Sequence, residues 1–167
     1  MGKRVSHEDF LALLAGQAQA LAPVLAGEEV EIATPFQYPA RGGPVTLHLQ
    51  LAPGPQGGPA PSVPIVRISD GGKLLKSLAQ QGMEVEIDMI LSRTVFHAVG
   101  QVEGASIKGG QVYLDATADA VPAAIWKFLQ LVAEITGLRH SKYKDALIQF
   151  ERRERAEAEA RGKRPPR

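Results

Sequence analysis

Three observations predict an α+β fold, an antiparallel sheet of about five strands with helices packed on it. Val45-Thr46-Leu47-His48-Leu49-Gln50-Leu51 alternates apolar and polar residues without a break, the pattern of a half-buried strand. Ala105-Ser106-Ile107 and Gln111 to Ala116 flank Lys108-Gly109-Gly110, a β-hairpin signal. Ile65 to Ser69 runs into Asp70-Gly71-Gly72 and then into a helical pattern through Leu78, which reads as strand, tight turn and helix start. The short links between strands favour antiparallel pairing.

The elements follow in chain order. Ser6 is a suitable N-cap, with Asp9 three residues on. Phe10, Leu13, Leu14 and Leu21 recur at helical spacing, so one helix is expected over about 6–22, stopped by Pro23. Val30 and Ile32 alternate with glutamates, a strand ending at Thr34-Pro35-Phe36. In the 45–51 strand, Val45, Leu47, Leu49 and Leu51 face the core and His48 the other side. Residues 52–62 are Pro/Gly-rich and form a long connection to a strand over Val63–Ser69. A short helix over 73–81 ends at Gly82.

Residues 83–101 carry two patterns. Met83, Val85, Ile87 and Met89 alternate as in a strand over 83–90. Ile87, Ile90, Leu91, Val95, Ala98 and Val99 have helical spacing. A helix over about 87–101, capped near Glu86 or Asp88, is preferred. After the hairpin, a helix begins near Asp119, with Pro122 in its first turn. Val121, Ile125, Phe128, Leu129, Val132 and Ile135 form its apolar face. A further helical piece over 141–160 becomes an Arg/Glu/Ala-rich run. The element order is α-βββ-α-α-ββ-α plus a C-terminal helical tail. Residues 1–150 are read as one domain and 151–167 as a charged helical or disordered tail.

The chain has 167 residues, 44% hydrophobic and 22% charged, the balance of a globular protein with a sizeable core. It has no cysteine, which excludes disulfides, zinc–thiolate sites and cysteine nucleophiles. No stretch approaches the ~20 apolar residues needed to span a bilayer. Glu8 and Asp9 break any signal-peptide pattern, so a cytoplasmic location is expected and no membrane association. Net charge is +1 but unevenly spread. Residues 139–167 hold ten Lys/Arg against five Asp/Glu, a net of +5 that leaves −4 for the first 138.

No catalytic constellation is evident. Asp70 at a strand end could bind a metal; turn and cap chemistry is the preferred reading, because Asp accepts backbone N–H bonds and glycine supplies positive φ. Lys73 is followed by Leu74, so a phosphate-binding loop is not supported. Asp70, Glu84 and Glu86 could join in a metal-dependent nuclease site, but no Asp/Glu-x-Lys occurs in the chain. His7, His48, His97 and His140 are scattered, without metal-ligand spacing. Trp126 falls off the main stripe of its helix. It is either a second buried face under the tail helix or an exposed anchor in a partner or homodimer interface. Arg161, Lys163 and Arg164 offer phosphate contacts to nucleic acid, although the tail lacks aromatic interleaving.

Ile32-Ala33-Thr34-Pro35-Phe36, Ile68-Ser69-Asp70-Gly71-Gly72 followed by Leu74, Leu75 and Leu78, and the late hairpin leading to the Ile125–Leu131 helix together resemble an uncharacterised bacterial and prophage domain family of unknown function. The resemblance covers about residues 28–138. It implies association with phages, mobile elements or host-defence neighbourhoods, and no activity. The element order is also similar to that of type III secretion chaperones, acidic dimers that bind partner chains; the basic tail and the 52–62 loop depart from them. The expectation is a non-enzymatic protein-binding or regulatory module without cofactor. Its partner is another protein or a second copy, with Trp126 and His48 as candidate contacts. A metal-dependent nuclease and a nucleic-acid binder are the alternatives.

Overall fold

A computed structural model describes residues 3–5, 7–39, 42–53, 63–138, 143–160 and 162. The strands are β1 (Lys3–Val5), β2 (Val30–Gln37), β3 (Pro44–Leu51), β4 (Ile65–Ser69), β5 (Ala105–Lys108) and β6 (Gln111–Thr117). The helices are α1 (His7–Leu14), α2 (Ala18–Leu25), α3 (Lys73–Gln80), α4 (Met89–Gly100), α5 (Val121–Gly137) and α6 (Tyr143–Ala160). They form one sheet in the order β1-β2-β3-β4-β6-β5. The five strands from β2 to β5 pair antiparallel, as the alternation and hairpin signals predict; β1 adds a parallel edge against Val30–Ile32.

Register separates the two faces. Val30, Leu49, Ile68, Leu114 and Ala105 lie side by side across five strands, and the first four are buried. One residue along, Glu31, His48, Ser69, Tyr113 and Ser106 form the next row, which the two-residue period sends to the opposite face. The helices collect on the apolar face. α1 meets β2, α2 meets β3, and α5 lies against β4 and β6 while also touching α1, α3 and α4. The α5 stripe of Val121, Ile125, Phe128, Leu129, Val132 and Ile135 is buried. Each of these large side chains contributes about 1.5–3 kcal/mol of burial.

Local chemistry fixes the element ends. Asp88 caps α4, its Oδ1 accepting from Ile90 N at 2.9 Å and Leu91 N at 3.0 Å. Helix therefore wins over strand in the ambiguous segment. Gly109 and Gly110 both have positive φ, the requirement of a tight hairpin turn.

The N-terminal region departs from expectation. Instead of one helix over 6–22 there are two, separated at Gly16, whose φ is +72°. Pro23 lies inside α2 rather than stopping it; its missing N–H removes one bond of the ladder, the one to Gln19 O, and the helix ends two residues later. β1 was not foreseen, because three residues with two cations carry no strand pattern of their own. The β4 strand begins at Ile65 rather than Val63. Leu51, expected in the core, is 37% exposed at the end of β3. α6 runs unbroken across residue 150, where the composition changes. No described helix is long and apolar enough to cross a membrane.

Candidate functional site

The Asp70 turn is built from its sequence outward. β4 ends at Ser69, and Gly71 and Gly72 take φ of +66° and +80° to reverse the chain into α3. The Asp70 side chain is wholly buried. Its Oδ1 accepts from Gly72 N at 3.0 Å; its Oδ2 accepts from Leu74 N and from the Tyr38 hydroxyl. Tyr38 directly follows β2 and is itself buried. Its phenol titrates well above the ordinary range, chiefly through burial and then through the Asp70 charge and hydrogen bond. The carboxylate thus ties the β2–β3 end to the start of α3. Both of its oxygens are engaged by protein donors.

Glu84 and Glu86 are exposed on the turn between α3 and α4. They line a cleft of about 500 Å³ together with Lys76, Phe96 and Lys108, in which acids and bases are mixed. Asp70 does not line that cleft. Among the described residues, no group of three His, Asp or Glu side chains has metal-binding geometry, so Asp70, Glu84 and Glu86 are not brought together as a metal centre.

His48 lies on the polar sheet face. Its Nδ1 is 3.1 Å from Glu29 Oε1 and 3.8 Å from Glu31 Oε1. A Cβ at Gly71 would come within 3.1 Å of its Nε2, so the ring sits close over the turn. Arg67 on the same face donates to both Asp115 oxygens, at 2.8 and 2.7 Å, and its guanidinium lies 4.8 Å from the centre of the Tyr113 ring. Among the described residues of this face, Arg67 and Asp115 pair with each other.

The third feature is apolar. Phe36 and Trp126 are 43% and 47% exposed and line a groove of about 260 Å³ together with buried Val45, Leu129 and Val132 and with Thr136. Trp126 is therefore not a second buried face under the tail helix; among the described residues, the groove is lined by β2, β3 and α5. Among the described residues, no charged side chain lines it. Locally, Thr34 shapes the β2 side. Its hydroxyl donates to Val45 O at 2.8 Å and accepts from Phe36 N at 3.3 Å, where the β2–β3 register shifts.

Of the sequence-predicted contacts, Trp126 reaches this groove and His48 does not line it. His97 is half-buried on α4. Arg161, Lys163, Arg164 and His140 lie outside the described residues. Sequence reasoning missed Phe36 as a groove residue. Its only signal was a large aromatic beside a proline at a strand end. No protein-family model, curated protein or solved structure matches this chain.

Proposed function

We propose that the chain is a non-enzymatic protein-binding module that receives an apolar side chain of a protein partner between Phe36 and Trp126. One observation carries the reading: two large aromatics stand about half exposed over a preformed, uncharged groove. An aromatic pair held open in this way costs solvation that a partner recovers on binding. The polar groups elsewhere support it by contrast. Asp70 is spent on a cap, and Arg67 with Asp115 form a closed pair. The resemblance to a prophage-associated family points to a regulatory role in phage or defence neighbourhoods.

Peptide-display selection against the full chain tests this. Selected peptides are expected to carry an uncharged apolar anchor, to shift the emission of Trp126, the single tryptophan, and to lose about tenfold or more in affinity in Phe36→Ser. Peptides that bind wild type and Phe36→Ser equally would overturn the assignment of the groove. Metal-dependent hydrolysis of DNA or RNA abolished by Asp70→Asn would overturn the non-enzymatic reading.

A further inference from the structure

We infer that the partner segment is an extended strand that pairs with Ala33–Gln37, the stretch of β2 that no described strand pairs on its outer side, and so adds to the sheet beyond β1. The inference rests on the groove reading and adds the conformation and direction of approach. β1 covers β2 only from Val30 to Ile32. Past Ile32, β2 has β3 on one side and, among the described residues, no strand on the other. Ala33, Pro35, Phe36 and Gln37 are all exposed. The open length is about 16 Å at the usual strand rise. An edge of this kind is a template for another chain.

Two observations say what the incoming chain is. The first is continuity: the same edge of β2 already holds β1 in a parallel ladder, so the added strand prolongs an existing pairing. The second is the groove. Phe36 and Gln37 belong to both the open edge and the groove lining. A strand paired there lies ~4.8 Å from β2 and turns alternate side chains to each face. Placed toward the groove through Phe36 and Gln37, the inward ones meet a lining in which, among the described residues, no charged group would receive a charge. The segment is therefore uncharged and apolar at alternate positions.

Pro35 argues against a second copy of this chain. An antiparallel self-pairing that uses the whole open stretch centres on residue 35 and sets one proline opposite another, with no N–H from either. A different sequence brings its own donors. Pro35 supplies no N–H and the Phe36 N–H already donates to Thr34 Oγ1, so the ladder is short, which makes binding lean on the groove and keeps the edge from recruiting strands indiscriminately.

The test uses the full chain and the best peptide from display selection. Amide exchange is measured with and without peptide, and binding is repeated with peptides N-methylated at alternate residues. Slowing of exchange by at least about tenfold within 33–37, with loss of binding for one N-methylation phase and not the other, is expected for strand addition. Peptides that still need Phe36 but bind as helices, or tolerate every N-methylation, would overturn strand addition and leave the groove reading standing. Protection confined to β5 or the polar sheet face, or no selectable peptide, would remove both. A dimer in sedimentation that Phe36→Ser dissociates would replace the foreign strand with a second copy.

Discussion

The Asp70 turn and the Phe36–Trp126 groove invert each other. One is polar, buried and fully partnered; the other is apolar, about half exposed and open. A buried carboxylate is tolerable only where donors surround it, and three do so here. An exposed aromatic pair needs no partner to be folded, so nothing in the packing of the monomer calls for it. In this chain a wholly buried carboxylate caps a turn, and two large aromatics stand about half exposed at the surface.

Perturbing each region should separate stability from binding. The largest loss is expected for Asp70→Ala, which strands two backbone amides and the Tyr38 hydroxyl in the interior. About 3 kcal/mol or more should disappear in urea unfolding. A cost below about 1 kcal/mol would mean that water reaches the site and that the cap is not what holds it.

Tyr38→Phe should cost less, about 1.5–3 kcal/mol, since one hydrogen bond to a charged group is lost and the ring remains. It also carries a pH signature. The folded chain keeps a phenolic proton that the unfolded chain releases near its ordinary value of 10.0. The Tyr38 contribution is complete below that pH and falls as pH rises beyond it. Denaturation followed from pH 8 to 11 should show a shallower alkaline decline for Tyr38→Phe than for wild type.

Gly71→Ala places a side chain at φ +66° and 3.1 Å from His48 Nε2. A loss of about 1–2 kcal/mol is expected, largely from the backbone conformation, and His48→Ala in the same chain should recover only part of it. Full recovery would locate the cost in the histidine contact instead. A modest stability effect belongs to Trp126→Ala, about 1–2 kcal/mol, because only about half of the residue is buried.

Legibility in the sequence follows the range of the interactions. The β5–β6 hairpin, the Asp88 cap and the α5 stripe are set by neighbours within a few residues, and their patterns are visible directly. Trp126 could be seen to fall off the α5 stripe from helical phase alone. β1 could not be seen, because Lys3-Arg4-Val5 becomes a strand only through pairing with Val30–Ile32. The division of α1 from α2 depends on Gly16, which a helical repeat of apolar residues masks. The Asp70 turn was readable as a cap, but its third donor was not. Tyr38 is 32 residues away and arrives only once the sheet has formed. The groove is hidden for the same reason: Phe36 and Trp126, 90 residues apart, come to line one groove only in the folded chain.

A fluorescence titration of one display-selected peptide into wild type, Asp70→Asn and Phe36→Ser, with melting temperatures recorded beside it, sets the two regions against each other most directly. Asp70→Asn should melt earlier yet, while folded, bind within about twofold of wild type, whereas Phe36→Ser should melt almost normally and bind about tenfold or more weakly. Weakened binding in folded Asp70→Asn alongside full affinity in Phe36→Ser would contradict the account.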